Sequence, residues 1–238
     1  GGVSSVNLTL PTLPQMPAIT TFPVLPVPLP AAITANTTVF PTGTTPTSGL
    51  YGNITLGGNK TLTFKGAGVY VFNSIKNSGT TNNFVFDFNG NNSGAIKIYV
   101  YGDVDLNKVQ AAIVNGNATS ATRIFFETHG TGAASGGVAF KIANGSSGQA
   151  SKWLGSVWAP YAAINVGSGT GSTDFTGALW SGTQVNIQSG VTMNFAPFIF
   201  CSNPPNANAG PDKPLDFVNQ TTLNGSSTTP GAVFNWST

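Results

Sequence analysis

The chain has 238 residues, of which only 9 are Lys or Arg and 7 are Asp or Glu, so 7% of it is charged against about 25% in an average soluble domain. A net charge of +2, dispersed from Lys60 to Lys213, makes no basic stripe of the kind nucleic acid requires, and with no apolar run near 18 residues no membrane-spanning helix is expected. No basic-then-apolar leader opens at Gly1, and Cys201 is the sole Cys, which leaves neither an intrachain disulfide nor a thiolate metal cluster.

Residues 1–48 form a Pro-rich lead-in without a charged side chain, the first being Lys60. Pro11, Pro14, Pro17, Pro23, Pro26, Pro28 and Pro30 rule out helix, because each removes a donor and clashes with the preceding turn. Two extended forms compete: a solvated polyproline linker, or a strap laid on the wall of the domain that follows. The Leu, Val and Phe side chains favour the strap, since a solvated linker carries few of them.

From 49 to 201 short strands alternate with Gly, Asn and Ser clusters. Residues 53–56, 60–64, 68–72, 84–88, 95–101, 123–126 and 138–142 show period-two alternation or runs of β-formers. Residues 106–114 fit one helical turn or a strand, and their β-branched side chains suit the strand as well. The strongest organising signal is an internal repeat. Trp153-Leu-Gly-Ser-Val-Trp-Ala-Pro160 matches Phe175-Thr-Gly-Ala-Leu-Trp-Ser-Gly182 at a spacing of 22. Each copy passes through a small-residue corner into Ala163-Ile-Asn-Val166 or Val185-Asn-Ile-Gln188. A unit of strand, corner, strand, corner that cannot bury its apolar face alone marks a stacked architecture. The expected fold is all-β, a parallel β-helix (solenoid) over 49–201 in which 153–166 and 175–188 stack directly. An antiparallel sandwich or jelly roll is the competing architecture.

After Cys201, Ser202-Asn-Pro-Pro205 reads as a boundary. Residues 202–238 then carry Asn206-Ala-Asn-Ala-Gly-Pro-Asp212, Thr222-Leu-Asn-Gly-Ser-Ser227 and Phe234-Asn-Trp-Ser237. These words resemble the opening strands of the PKD-type, Ig-like repeats that string together large secreted and surface proteins of bacteria. An Ig-type sandwich needs about 100 residues, so the resemblance implies only the beginning of such a repeat. Gly68-Val-Tyr-Val-Phe72, Ile98-Tyr-Val-Tyr-Gly-Asp-Val-Asp-Leu106, Gly155-Ser-Val-Trp-Ala-Pro160 and Gly177-Ala-Leu-Trp180 are similar in order and spacing to uncharacterised β-helical domains of bacterial surface and pilus-associated proteins. That family supplies no catalytic residues to carry over.

Several residues are candidates for chemistry. Asp103 and Asp105, two apart on one strand, would share a face at about 7 Å, a separation that suits an inverting glycosidase, yet no substrate clamp accompanies them. With Asn107 they also offer three oxygen side chains that suit Ca2+ in a general way. Lys108 and Val114 stand where an EF-hand loop needs Gly and Glu, so no cofactor is assigned. Glu127 and His129 share a face by period two, but no nucleophile elbow joins them, and Cys201 reads as a small buried hydrophobe. Sequons such as Asn7, Asn53 and Asn117 recur, about half of them at the frequency chance supplies, and matter only where a source glycosylates them.

The residues therefore point to a non-enzymatic, extracellular, cell-surface module, an adhesin tip whose Asn, Thr, Tyr and Trp side chains offer sugars hydroxyl partners and stacking planes. Trp153, Tyr161, Asp103 and Asp105 are the ligand-binding candidates, with a surface polysaccharide or other extracellular polymer as partner. Trp158 and Trp180, one repeat apart, are expected in the core. The competing readings are a filament subunit that joins copies of itself through the extended N-terminal strand, and a polysaccharide-active β-helix enzyme. Thr residues keep no fixed register, which argues against an ice-binding solenoid.

Overall fold

The computed structural model describes residues 16–34, 37–41, 49–79, 81–117, 119–133, 135–146, 148–199, 207–208 and 226–227. Two compact units emerge, Gly1–Phe198 and Ile199–Thr238. The first is a right-through stack of parallel strands, a β-solenoid of about six turns, and it contains no α-helix among the described residues.

The early turns are β1 (Thr37–Pro41), β2 (Leu50–Leu56), β3 (Thr61–Lys65), β4 (Gly68–Asn77), β5 (Asn82–Asp87), β6 (Ile96–Val100), β7 (Val104–Leu106) and β8 (Val109–Val114). The later turns are β9 (Ile124–Thr128), β10 (Val138–Ala143), β11 (Ser151–Leu154), β12 (Ser156–Ala159), β13 (Ala163–Ser168), β14 (Thr173–Gly177), β15 (Leu179–Ser181), β16 (Val185–Ile187) and β17 (Val191–Phe195). One sheet runs β1-β3-β5-β8-β11-β14-β17. The other is two stacks joined at β4, whose first half pairs β6 and whose second half pairs β7. Each full turn therefore has three sides, where the sequence repeat suggested two strands per unit. The third strand is hidden because the corner at Gly155 falls inside the repeated word and is only one residue long.

The 153–166 and 175–188 segments stack as the repeat requires, Trp153 on Phe175 and Trp158 on Trp180. The spacing then drops to 21, Ile164 pairing with Val185 and Asn165 with Asn186. Ala163, the first residue of β13, therefore does not lie opposite Val185, and the slip has a physical reason. The 22-residue alignment would set Ile164 over Asn186, and a one-residue shift exchanges core and solvent faces. Residues 106–114 resolve as strand, with β8 parallel to β5. Gly155 adopts φ +107°, and a Cβ at Gly177 would sit 2.2 Å from the Gly155 carbonyl oxygen, so this stacked corner needs glycine in both copies.

Inward residues of successive turns meet directly above one another. Phe40, Phe64 and Phe86 are in register and their rings stack at 5.4 and 5.5 Å, a geometry that parallel in-register strands produce. A second apolar layer lies outside the solenoid on the β4, β6, β9 and β12 side. There Val71, Tyr99, Phe125 and Trp158 are buried beneath Phe22, Leu25 and Phe198. Residues 16–34 run extended: Thr20 N donates to Glu127 Oε1 (2.9 Å), the Tyr101 hydroxyl donates to the Pro23 carbonyl (3.0 Å), and Ile33 forms a parallel bridge with Ile54.

In the second unit Ala207–Asn208 pairs antiparallel with Ser226–Ser227. Cys201, Asp212 and Trp236, on which the reading of that segment drew, lie outside the described residues.

Candidate functional site

The 160–162 corner between β12 and β13 projects Tyr161, which is 50% exposed. Its ring borders a groove of about 450 Å³ walled by Thr131, Gly136, Gly137, Val138, Ala162, Ala163, Thr183, Gln184 and Asn186. No charged side chain lines this groove among the described residues. Its rims are fixed by hydrogen bonds. Ser181 Oγ donates to the Ala162 carbonyl (2.9 Å) and accepts from the backbone N–H groups of Thr183 (3.1 Å) and Gln184 (3.0 Å). One outward column, Lys76, Asp105, Lys141, Asn165 and Asn186 in register, ends at the groove.

Tyr161 is held from behind. Its ring meets His129 edge-on at 5.2 Å, and His129 stacks on Phe22 at 3.7 Å. His129 Nε2 lies 2.8 Å from Glu127 Oε1, the atom that also accepts from Thr20 N. Glu127 is fully buried, and Oε2 has no hydrogen-bond partner. This carboxylate and imidazole form a buttress under residues 20–22, and among the described residues no Ser or Cys side chain takes part in their hydrogen bonds. On the same face Tyr99 is buried against Phe22 at 4.9 Å; desolvation pushes its hydroxyl pKa up, partly offset by a hydrogen bond with Thr20.

The four candidate ligand-binding residues separate. Trp153 is fully buried among Phe84, Phe86, Phe126 and Phe140, at ring distances between 5.5 and 6.2 Å, and is not a surface residue. The Ser151-Lys-Trp-Leu154 alternation turns Lys152 outward and Trp153 inward. Trp158 shows the converse: it points away from the solenoid core and is buried only because the outer layer covers it. Asp103 does not share a strand with Asp105. It occupies the corner before β7, because the chain bends at Tyr101 and Gly102. Asp103 Oδ1 accepts from Gly132 N (2.9 Å) and Oδ2 lies 3.5 Å from Ser135 Oγ. It thus braces the loop that brings Thr131 and Gly136 to the groove. Asp105 pairs with Lys141 at 3.4 Å, both side chains partly exposed, an arrangement of small energetic weight. Asn107 Nδ2 donates to the Gly79 carbonyl (3.1 Å), so the three oxygen-bearing side chains take three different partners. Among the described residues no three His, Cys, Asp or Glu side chains converge.

Thr131, Thr183, Gln184 and Asn186 were not legible as site residues, since nothing local marks them. Only their stacking against the 160–162 corner does. The chain matches no known protein-family model, and no curated protein or solved structure shows significant similarity to it.

Proposed function

We propose that the chain is a non-enzymatic extracellular module, an adhesin-type tip domain, that binds neutral polysaccharide at the Tyr161 groove. The observation that carries this reading is a half-exposed aromatic ring bordering an uncharged wall of Thr, Gln and Asn side chains. A sugar offers such a wall two things: an apolar ring face that stacks on Tyr161, and hydroxyls that exchange hydrogen bonds with amides and hydroxyls. The groove volume fits one or two sugar rings. In this reading the Pro-rich lead-in is a strap, laid in cis so that Phe22 and His129 set the Tyr161 ring. The protein works at the cell surface as part of a larger chain with Ig-like repeats.

Affinity measurement against a panel of plant, algal and bacterial polysaccharides tests this. At least one neutral polymer should bind, and Tyr161→Ala should weaken it about two- to tenfold, because stacking on one ring is worth about 0.5–1.5 kcal/mol, while the fold persists. Binding indifferent to Tyr161→Ala would sink the groove. Release of new reducing ends that Asp103→Asn or Asp105→Asn abolishes would replace the binding module by an enzyme. A filament subunit is the second reading, favoured by the apolar surface at the end of the solenoid; sedimentation of long polymers at micromolar concentration would establish it.

A further inference from the structure

The third side of the solenoid carries a row of polar side chains of which the groove at Tyr161 is only the end. Thr55 of β2, Lys76 of β4, Asp105 of β7, Lys141 of β10, Asn165 of β13 and Asn186 of β16 are register partners on consecutive turns. Val104 and Leu106 on either side of Asp105, and Ile164 and Val166 on either side of Asn165, belong to the core, so period two turns the row outward. Six rungs at one strand spacing make a straight row of about 24 Å. Asn186 is also part of the groove wall, which makes row and groove one continuous surface.

We infer, taking the Tyr161 groove as the sugar site, that its ligand is an extended β-1,4-linked neutral glycan lying along the stack, across the strands. One ring sits on Tyr161, and the following rings pass over Asn165, Lys141 and Asp105. In such a ribbon each ring advances the chain by nearly the distance between neighbouring strands, about 4.8 Å, so successive rings meet successive turns. An α-linked glycan curls away from a straight row. Equatorial hydroxyls leave the faces of each ring apolar and the edges polar, which suits an aromatic face at Tyr161 and amides and hydroxyls beside it.

The charges of the row select for a neutral polymer. Lys141 Nζ and Asp105 Oδ1 are 3.4 Å apart with both side chains over one-third exposed, and two adjacent sugar hydroxyls can donate to that carboxylate and accept from that ammonium. Lys76 lies on the other side of Asp105, so the signs alternate along the row. A polyanion with a charge on every ring would set one against Asp105. Next to the groove, Asn165 Oδ1 is buried without a hydrogen-bond partner. Rotation of that amide about its broad χ2 torsion offers the unsatisfied acceptor to a sugar hydroxyl.

The test measures affinity of the full chain for β-1,4-linked oligomers of glucose, xylose and N-acetylglucosamine, two to six rings long, beside α-1,4-linked glucose oligomers of the same lengths. In at least one β-linked series the six-ring oligomer should bind at least tenfold tighter than the two-ring one, because each added ring reaches a further rung, and the α-linked series should gain nothing with length. Asp105→Ala/Lys141→Ala and Asn165→Ala should each cut that six-to-two ratio at least threefold, while Asn83→Ala on the opposite sheet leaves it intact. A ratio cancels any loss of folded protein. Tyr161-dependent binding with no gain in length, or a gain that these variants leave intact, overturns the row and leaves the groove reading standing. Tyr161-dependent binding confined to α-linked or polyanionic chains overturns it too, whereas binding of no sugar through Tyr161 removes the groove reading itself.

Discussion

Phe22 is where the lead-in is held, and Phe22→Ala should release it. The ring is 6% exposed, stacked on Tyr99 and His129 and edge-on to Tyr101 at 5.3 Å. Truncation to Ala gives up roughly 150 Å² of buried apolar area, worth about 4 kcal/mol at 25 cal/mol per Å², and the lost ring pairing adds about 1 kcal/mol. Pro17 and Leu25 are the other buried side chains within residues 16–30, so little remains to hold the segment. Because this segment lies outside the sheets, the loss appears as local detachment, and the fall in global stability is capped at the docking free energy. The assay is exchange of the Thr20 amide, whose acceptor is the buried Glu127. It should speed up by two to three orders of magnitude, with a change in emission from Trp158 as its cover leaves. Thr20 exchange and Trp158 emission both indifferent to Phe22→Ala would refute the reasoning.

Trp153→Ala should cost about 3–5 kcal/mol in chemical denaturation, and a loss under 1 kcal/mol would contradict its placement among four Phe rings. Gly177→Ala places a methyl 2.2 Å from the Gly155 carbonyl, so a lowered melting temperature is expected; an unchanged one would show that the corner relaxes freely. Tyr51, Tyr70 and Tyr99 have hydroxyl pKa values raised by burial above the ordinary 10.0. A raised folded pKa gives stability that is complete below about pH 10 and is lost as the pH climbs past it. Alkaline melts should therefore fall steeply above that point, and Tyr70→Phe, which removes the titrating group and its hydrogen bond to Gly66, should flatten the fall; an equally steep fall in that variant argues against the assignment.

Period-two alternation and the 22-residue repeat determined much of this protein before any coordinates: all-β class, parallel stacking, and the direct superposition of Trp153 on Phe175 and Trp158 on Trp180. They did so because a turn of solenoid buries its inner face only by placing like side chains over like, so the stacking leaves a period in the sequence. That signal does not say which side of a strand is inside once both sides are buried. In Ser156-Val-Trp-Ala159 all four residues are buried, and only the arrival of Phe22 and Phe198 on the outer face explains why Trp158 is covered without being core. The same holds for Asp103 and Asp105, equivalent by spacing, which the bend at Gly102 sends to different partners. The groove at Tyr161 combines side chains from residues 131, 161, 184 and 186, far apart in sequence and brought together by adjacent turns. Stacking fixes the period that a sequence records, whereas corners and non-local packing choose the partners, and those are set in three dimensions.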